Sequence, residues 1–508
     1  MTFNVKAVND LSNKRPRIIA DSETLEISNS FCTIHNFSND IIDSIKSLLT
    51  YENKSVFFEI LSVRRLLKSA KRKGSRKGVC AFRKRLQELE KKHVVCLLKD
   101  GKFPTGLIGF VIDHLKKLNY TFVLKDRRVA STHQKIIRWY NKPPIPRYYQ
   151  QQMIDKSNTH CRGVFEAACG CGKTLIATYM IKAKAVDTLV IVPSRALLEQ
   201  TERVFINAFG KKQVDILNST TIKRKKKLKG LIKLATVQTL SSLNKSNLLA
   251  NAVRDVDMLL VDEAHHTGAQ SYLDLLPTFD HIYYRYGFTG TFVRNDDRAL
   301  EMYGFLSEKL YCYLPKQATE EGFLTPINFF IKGIHGRAHP NYQKEYSLNY
   351  CGNNNFLHEI LHIVEDIPQN EQILILVDRK ETSGAIIHKF LKLHKFDNCY
   401  ISGDNNKKDI ADAIKLFNDE KIRILIGSSV IGEGVDIRST QHLIMATGGK
   451  SLIKIVQSVG RCVRLHPGKS RSNVYDFCFT GTNFLEKHCA SRIDIYNNQF
   501  TGEIKWLD

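Results

Sequence analysis

The segment Ala167-Ala-Cys-Gly-Cys-Gly-Lys-Thr174 limits the fold of this chain more than any other feature, because it predicts a strand, a glycine loop and a helix in that order. In such a loop, Gly170 and Gly172 let successive backbone N–H groups point at one anion, and the following helix adds its dipole. We expect Lys173 to reach the β- and γ-phosphates of a nucleotide and Thr174 to hold Mg²⁺. The alternative is an ordinary glycine-rich turn between a strand and a helix.

An apolar run that ends in two acids, Met258-Leu-Leu-Val-Asp-Glu-Ala-His265, predicts a buried parallel strand. Open α/β sheets bind their ligands at the carboxyl ends of the strands, which is where Asp262 and Glu263 stand. Asp262 is predicted to hold Mg²⁺, and Glu263 is predicted to be the general base that polarises water for attack on the γ-phosphate. An acidic loop after a strand is the alternative.

The charge of the chain favours a polyanionic partner, with nucleic acid as the first candidate. The 508 residues carry a formal net charge of +25. A basic run from Arg64 to Arg85, interrupted by Gly74 and Gly78, predicts a helix, a flexible loop and another helix. A solvated helix face balanced by acidic residues is the alternative to phosphate contact. The residues of this run predicted to contact phosphates are Arg72, Lys73, Arg76 and Lys77.

The cysteines argue against a metal ribbon and against a disulfide framework. There are 12 of them, and they are scattered without a C-x-x-C pair. A reducing cytoplasm is therefore the expected location. No apolar run reaches membrane-spanning length and the N-terminus lacks a signal-peptide core, so no membrane partner is expected.

Strand-like apolar runs alternate with helix-like segments from Arg147 to about Thr325, and a second such set begins near Pro326. This alternation is typical of mostly parallel, doubly wound α/β sheets. The first set alone has a phosphate loop, so we expect a nucleotide to lie between two lobes. The predicted domains are a basic nucleic-acid-binding domain at 1–140, two lobes at 141–325 and 326–485, and a C-terminal helix and tail at 486–508.

Two motifs of the second lobe supply further candidates. In Ser428-Ser-Val-Ile-Gly-Glu-Gly-Val-Asp436, Gly434 allows a close backbone approach and Asp436 offers an acceptor for a ribose hydroxyl or a structural partner. In Gln457-Ser-Val-Gly-Arg-Cys-Val-Arg464, two arginines three residues apart share one helix face. Planar guanidinium groups suit a γ-phosphate whose charge moves during hydrolysis, whereas surface salt bridging is the alternative.

Taken in order, these motifs resemble those of superfamily 2 helicases with the DEAH spelling, over residues 145 to 480. Arg147-Tyr-Tyr-Gln150 resembles the adenine-recognising segment of that family. Gly287-Phe-Thr-Gly-Thr291 stands where the family usually has Ser-Ala-Thr, so Gly290 departs from the pattern. Further likenesses lie in the segments Pro193–Gln200, Ala235–Thr239 and Val377–Glu381.

The resemblance implies an α/β fold of two tandem RecA-like parallel-sheet lobes behind a small α+β N-terminal DNA-binding domain, with ATP and Mg²⁺ between the lobes. Arg147 and Gln150 would read the adenine, and Arg461 and Arg464 would arrive from the second lobe. Residues that would relay the state of the nucleotide are His265, Thr289, Thr291 and Gln457. Residues that would contact the nucleic-acid strand are Arg195, Thr236 and Gln238.

A narrower likeness is to the UvsW-type phage helicases. It rests on Phe103–Tyr120, Gly287–Arg294, Met302–Phe305 and Glu321–Pro326. That group migrates Holliday junctions, regresses stalled forks and opens displacement loops, which implies branched DNA as the partner and a role in recombination, repair or replication. A monomer is favoured as the oligomeric state, and a protein of phage origin would act in the host cytoplasm.

Other functions remain open at this point. An RNA helicase or RNA-stimulated ATPase has the same motifs, because contacts in this superfamily go largely to the sugar-phosphate backbone. The motor subunit of a restriction system is a second alternative, although no nuclease constellation stands out. A non-catalytic clamp that only senses ATP is a third, but it would have no need for the set Lys173, Glu263, Arg461 and Arg464. A metal-binding protein is disfavoured because no ligand set has zinc spacing.

Overall fold

The computed structural model describes residues 23–130, 135–218, 229–268, 270–291, 299–378, 383–428, 437 and 439–507. The chain divides after Val129 into two compact units. We refer to these as unit 1, which ends at Val129, and unit 2, which begins at Ala130. None of the helices in the described ranges combines the length and the apolar character needed to cross a bilayer.

Unit 1 is built on a four-stranded sheet in the order β5-β2-β1-β6, in which β1 pairs antiparallel with β2 and parallel with β6. Leu25, Phe103 and Val111 are fully buried in its core. The strands are β1 (Thr24–Ile27), β2 (Phe31–His35), β3 (Thr50–Glu52), β4 (Val94–Cys96), β5 (Lys102–Pro104) and β6 (Val123–Asp126). The helices are α1 (Asn39–Leu48), α2 (Lys54–Arg72), α3 (Arg76–His93) and α4 (Ile108–Lys117), with a 3₁₀ turn at Thr105–Leu107.

Helices α2 and α3 form a hairpin that the sequence predicts with one error. The expected flexible loop is a tight turn of three residues, Lys73 to Ser75, in which Gly74 takes a φ of 67°. Ser75 caps α3 by accepting a hydrogen bond from the backbone N–H of Gly78 at 3.2 Å. Gly78 therefore lies inside the second helix and does not interrupt it.

Unit 2 begins with lobe 1, a seven-stranded parallel sheet in the order β13-β7-β12-β11-β8-β10-β9. Its strands are β7 (Arg162–Ala167), β8 (Thr188–Val192), β9 (Val214–Ile216), β10 (Ile232–Thr236), β11 (Met258–Val261), β12 (Tyr284–Thr289) and β13 (Lys309–Tyr313). Its helices are α5 (Tyr148–Thr159), α6 (Lys173–Lys184), α7 (Arg195–Phe209), α8 (Val237–Lys245), α9 (Leu249–Val253), α10 (Gln270–Leu273), α11 (Ala299–Leu306) and α12 (Pro315–Glu320). Short 3₁₀ turns lie at Lys211–Gln213, Ala264–Gly268 and Leu276–Phe279.

The order of the strands in lobe 1 brings the predicted motifs together. Strand β12 lies between β7 and β11, and all three run parallel. The loop after β7 and the acids after β11 therefore emerge at the same edge of the sheet. Every residue of β7, β8 and β11 is buried, which explains why these strands are continuous apolar runs.

Lobe 2 is a second seven-stranded parallel sheet, in the order β16-β17-β15-β18-β19-β14-β20. Its strands are β14 (Ile327–His335), β15 (Ile373–Val377), β16 (Cys399–Ile401), β17 (Ile424–Gly427), β18 (His442–Ala446), β19 (Ser472–Thr480) and β20 (Glu503–Leu507). Its helices are α13 (Tyr342–Tyr346), α14 (Asn354–Asp366), α15 (Ala385–Leu393), α16 (Lys407–Asn418), α17 (Leu452–Cys462) and α18 (Leu485–Gln499), with a π turn at Ser347–Cys351.

A buried ion pair fixes α18 to the sheet of lobe 2. Arg492 donates to both carboxylate oxygens of Asp476 on β19, at 2.7 and 2.9 Å, and Tyr496 donates to the same carboxylate at 2.8 Å. Burial alone would lower the pKa of Arg492, but the carboxylate of Asp476 outweighs it and raises that pKa. The helix is thus part of the lobe, and β20 extends the sheet beyond it.

The predicted fold class is confirmed: two tandem parallel-sheet lobes follow a small α+β unit. The division into four domains remains a prediction, and the one division of the chain described above falls after Val129. Within the segment predicted as a C-terminal helix and tail, β20 pairs with β14 as an edge strand of lobe 2.

Candidate nucleotide site

A cavity of about 420 Å³ lies between the two lobes of unit 2. Both of its sides are formed by predicted site residues. Lobe 1 lines it with Arg147, Gly170, Gly172, Lys173, Thr174, Asp262 and Glu263, and lobe 2 lines it with Gln457, Arg461 and Arg464. The cavity therefore assembles, from separate segments of sequence, most of the residues expected to hold a nucleoside triphosphate.

The loop between β7 and α6 has the backbone of a phosphate cradle. Gly170 and Gly172 have φ angles of 88° and 80°, a region that side chains rarely adopt. A Cβ on Gly172 would lie 2.6 Å from Nε2 of Gln150, so the position is also too crowded for a side chain. Gly172 immediately precedes α6, which places the positive end of the helix dipole at the loop.

Lys173 and Glu263 form an ion pair in this cavity. The ammonium Nζ lies 2.9 Å from Oε1 of Glu263, and both side chains are almost buried. Burial alone lowers the pKa of Lys173, but the carboxylates of Glu263 and Asp262 outweigh it and raise the pKa above its ordinary value. Lys173 is therefore a permanent cation at physiological pH, as a phosphate-binding lysine requires.

The backbone at Glu263 is strained. Its φ is 48°, and its N–H donates to Oδ1 of the preceding Asp262 at 2.9 Å. A left-handed conformation at a residue with a side chain costs about 1–2 kcal/mol and is often found at active sites. The turn that follows β11 thus fixes the two carboxylates with respect to each other.

Behind the acids, a hydrogen-bonded chain joins His265 to Thr289 and Thr291. The Thr289 hydroxyl donates to the carbonyl of Thr291 at 2.7 Å and accordingly accepts from Nδ1 of His265 at 3.1 Å. The same Nδ1 lies 3.5 Å from Oε2 of Glu263. Three of the four predicted relay residues are therefore linked to the predicted base, and the fourth, Gln457, lines the cavity from lobe 2.

The helix α17 of lobe 2 packs directly on the phosphate loop. A Cβ on Gly460 would lie 2.7 Å from Cβ of Cys169, and a Cβ on Gly170 would lie 3.3 Å from Cγ of Arg464. Arg461 is 7% exposed at this interface. Both predicted arginines thus stand at the cavity, but the prediction that they share one helix face is wrong, because α17 ends at Cys462 and Arg464 lies two residues beyond it.

The structure explains why residue 290 is a glycine. A Cβ at this position would lie 3.2 Å from Sγ of Cys169, so the thiol occupies the space where the family usually has an alanine methyl group. Cys169 is also the residue against which Gly460 packs. The departure from the Ser-Ala-Thr pattern thus lies at a close contact with Cys169 of the phosphate loop.

Arg147 directly precedes α5 and Gln150 lies in its first turn, and the two side chains point to different places. Arg147 lines the cavity, with its guanidinium 4.5 Å above the ring of Phe323. Gln150 is 3% exposed and lies behind the loop, where its Nε2 donates to the carbonyl of Cys171 at 2.9 Å and its Oε1 accepts from the N–H of Arg147 at 2.8 Å. The adenine role remains a prediction for both residues.

Several lining residues were not predicted from sequence as site residues. Phe323 and Leu324 belong to the segment between the lobes, and Leu197 and Gln200 project from α7. Phe323 lies within Glu321–Pro326, a segment noted only for its likeness to phage helicases. Gly434 and Asp436, predicted to approach the nucleotide, lie outside the described residues.

The predicted strand-contacting residues of lobe 1 lie at the carboxyl ends of two adjacent parallel strands. Thr236 ends β10 and caps α8, accepting from the N–H of Thr239 at 3.3 Å. Arg195 begins α7 after β8, and both Arg195 and Gln238 are exposed. These side chains are available on the surface of lobe 1, and their contact with nucleic acid remains a prediction.

Unit 1 carries the other predicted nucleic-acid contacts at the tip of its α2–α3 hairpin. Between Glu59 and Glu88 the sequence has no acidic residue. Arg64 and Arg85 pair with Glu90 and Glu59 at 3.0 and 2.6 Å. An open groove beside the turn is lined by basic residues, namely Lys71, Arg76, Arg83 and Lys84. The predicted phosphate contacts Arg72, Lys73, Arg76 and Lys77 are all exposed.

Comparison with known families matches both lobes. The sequence model described as "Type III restriction enzyme, res subunit" matches residues 144–294, and the model described as "Helicase conserved C-terminal domain" matches residues 353–466. Together the two segments span just over half of the chain, in the order that helicases have. This chain belongs to the superfamily 2 helicases. The family prediction made from the motifs is therefore confirmed.

Individual relatives of this superfamily 2 helicase are distant. This chain is 24% identical over 377 residues to the "Putative helicase 22" of the Sulfolobus islandicus filamentous virus. The alignment covers 69% of this chain and 66% of the viral protein, so the chain spans just under two thirds of the length of that relative. It is 22% identical over 397 residues to the ATP-dependent DNA helicase uvsW of Enterobacteria phage T4, covering 71% of this chain and 76% of that protein.

One solved structure supports the fold. Saccharomyces cerevisiae Dbp5, bound to RNA and ADP BeF3, aligns with a TM-score of 0.53 at 15% identity, covering 71% of this chain and 90% of that chain. At this identity the likeness concerns the arrangement of strands and helices alone.

The site predicts that Glu263→Gln separates nucleotide binding from hydrolysis. The amide keeps the size of the side chain but cannot accept a proton from water, so ATP hydrolysis should fall by about two orders of magnitude or more while ATP binding persists. Single-turnover hydrolysis and equilibrium binding of ATP measure the two effects. Glu202→Gln is the matched control, because Glu202 pairs with Lys211 at 2.7 Å on the surface of lobe 1. Near-normal hydrolysis by Glu263→Gln would remove Glu263 from its role.

Proposed function

We propose that this protein is an ATP-dependent helicase or translocase that acts on branched DNA. The observation that carries the ATPase part is the cavity between the lobes, where Lys173 and Glu263 of lobe 1 meet Arg461 and Arg464 of lobe 2. A lysine, a carboxylate base and two arginines around one cavity fit the transfer of a phosphoryl group to water.

The residues fit ATP with Mg²⁺. The two loop glycines leave room for phosphate oxygens, and Lys173 supplies a fixed cation. Thr174 and Asp262 are the hydroxyl and carboxylate donors that would hold Mg²⁺, which prefers such oxygen ligands together with phosphate oxygens and waters. The ion, when bound, would neutralise charge on the phosphates.

Hydrolysis follows from the arrangement of this chain's own groups. Glu263 accepts a proton from the attacking water, and Lys173 holds the phosphates in place. Arg461 and Arg464 stabilise the negative charge that develops on the transferred group. Because the base and the arginines belong to different lobes, hydrolysis requires the lobes to be together, and release of the products allows them to separate.

Movement along nucleic acid follows if each cycle of closing and opening shifts one lobe relative to the other on a strand. Arg195, Thr236 and Gln238 would contact that strand from lobe 1. The chain from Glu263 through His265 to Thr289 would transmit the state of the nucleotide, because it begins at the predicted base and continues to the end of β12.

The charge supports a nucleic-acid partner, and two likenesses support first DNA and then branched DNA. The net charge of +25 and the basic hairpin tip of unit 1 favour a nucleic-acid partner. A relative, the phage T4 protein, is named as a DNA helicase and aligns over 71% of this chain. The N-terminal segment 103–120, which the sequence analysis found similar to the UvsW-type phage helicases, forms β5 and α4 of unit 1.

A panel of nucleic acids tests the proposed substrate. Steady-state ATP hydrolysis is measured with single-stranded DNA, plain duplex, a three-way fork, a four-way junction and RNA of matched length. We expect the strongest stimulation by the fork and the junction. Equal or greater stimulation by RNA would make the protein an RNA-stimulated ATPase, and stimulation by single-stranded DNA alone would remove the branched substrate from the proposal.

The hairpin tip makes a separate prediction. Replacing Arg72, Lys73, Arg76 and Lys77 by Gln should weaken binding to DNA and flatten the dependence of log affinity on log salt by about one for each phosphate that is no longer neutralised. Titrations at several salt concentrations measure the slope. The control replaces Lys91, Lys92, Lys116 and Lys117, which are exposed residues of the same unit. Equal slopes for the two variants would make the tip a solvated surface only.

A further inference from the structure

The segment that joins the two lobes is short and touches both ends of the nucleotide site. It consists of Glu321 to Pro326, six residues between α12 and β14, and we call it the connector. Phe323 and Leu324 line the cavity. Glu321 contacts α5 of lobe 1, and Thr325 contacts the residues that follow α17 in lobe 2.

At its first end, the connector is tied to the start of α5, the segment that is predicted to contact the adenine. The carboxylate of Glu321 accepts hydrogen bonds from the hydroxyls of Tyr148 and Tyr313, the latter at 2.6 Å. The ring of Phe323 lies beneath the guanidinium of Arg147, 4.5 Å from it, and 5.3 Å from the ring of Tyr149. An aromatic ring and a guanidinium plane are the surfaces on which nucleobases stack.

At its other end, the connector is hydrogen-bonded to the backbone that follows α17. The N–H of Thr325 donates to the carbonyl of Val463 at 2.8 Å, and its hydroxyl donates to the carbonyl of Arg464 at 3.1 Å. Thr325 is 1% exposed. Lys469 also donates to the carbonyl of Arg464, at 3.2 Å. The backbone that carries Arg464 is therefore fixed by groups from the connector and from the loop after α17.

Between its two ends the connector is held to α12 by backbone hydrogen bonds. Gly322 takes a φ of 75° directly after α12, and the N–H groups of Phe323 and Leu324 both donate to the carbonyl of Ala318, at 2.8 and 3.1 Å. Thr325 is only two residues beyond Phe323. The backbone that carries the Phe323 ring is therefore held in place and lies close along the chain to the hydrogen bonds of Thr325.

We propose that the connector couples the nucleobase to Arg464: Phe323 is a base-stacking, specificity-determining residue, and Thr325 is a positioning residue that sets Arg464 when the base is stacked. This rests on the proposed ATPase function and adds a selection step to it. A large purine ring stacked against Phe323 and Arg147 holds the connector in the position that places Arg464, whereas a smaller pyrimidine ring holds it less well. Base identity then affects the rate of hydrolysis and not only affinity.

The test measures single-turnover hydrolysis and dissociation constants for ATP and CTP. The wild-type protein should hydrolyse bound ATP faster than bound CTP. Thr325→Val keeps the shape of the side chain and removes the hydroxyl, so hydrolysis of ATP should slow by about tenfold, the size of one hydrogen bond, with an unchanged dissociation constant. The ratio of the ATP rate to the CTP rate should fall towards one. Thr325→Ser, which keeps the hydroxyl, should restore the ATP rate and the ratio.

Thr319→Val is the matched control. Thr319 is also a nearly buried threonine, whose hydroxyl donates to the carbonyl of Pro315 at 2.9 Å within α12. Its variant should keep the wild-type rates and ratio. If Thr325→Val behaves like Thr319→Val, or if Thr325→Ser is as slow as Thr325→Val, the coupling is wrong.

A second variant keeps the proposal falsifiable if Thr325→Val does not fold. Phe323→Leu removes the ring and retains an apolar side chain, so the rate for bound ATP should fall towards the rate for bound CTP. An unchanged ratio would overturn the proposal. Arg464→Gln provides the link to the arginine: Thr325→Val should have no further effect in that background, and an additive effect would show that Thr325 acts elsewhere.

The outcomes also separate this proposal from the function beneath it. A wild-type protein that hydrolyses neither nucleotide contradicts the ATPase itself, and the coupling with it. A wild-type protein that hydrolyses ATP and CTP at the same rate when both are bound keeps the ATPase and overturns the coupling.

Discussion

The packing of α17 on the phosphate loop is the contact on which the nucleotide site depends. Cys169 of the loop lies against Gly460 of the helix, and Gly170 lies against the stem of Arg464. Neither lobe alone has both the proposed base and the two arginines, so the proposed chemistry requires the two surfaces to meet. A glycine at 460 permits this approach, because any side chain there would collide with Cβ of Cys169.

The parallel sheet of lobe 1 explains why the other groups of the nucleotide site lie side by side. Parallel strands deliver their carboxyl ends to one edge, and the order β7-β12-β11 puts the loop, the threonine chain and the acids side by side. Burial then strengthens the electrostatics among them, since charges in a low-dielectric site interact more strongly than in water. The ion pair of Lys173 with Glu263 and the left-handed backbone at Glu263 both belong to this edge.

The fold class could be predicted, and so could many of the residues that line the cavity between the lobes, because each motif needs a particular residue type at a fixed spacing. The features that the sequence did not reveal are contacts between distant segments and the capping of one helix. Gly78 looks like a helix breaker, yet its N–H is used by the cap at Ser75. The amide of Gln150 is bonded to the backbone behind the loop, a contact that its sequence context does not reveal, and its adenine role stays a prediction. Phe323 could not be identified as a lining residue, since only the packing of the connector against Arg147 brings it to the cavity.

The most direct test of the contact between the lobes is the rate of ATP hydrolysis by Gly460→Ala. Alanine favours a helix, so the variant should fold, but its Cβ would lie 2.7 Å from that of Cys169 and must displace α17 from the loop. The account predicts that single-turnover hydrolysis falls by about tenfold or more while ATP still binds lobe 1. Gly449→Ala, whose Cβ would have nothing within 4 Å, should retain the wild-type rate. Hydrolysis by Gly460→Ala at the rate of Gly449→Ala would contradict the account.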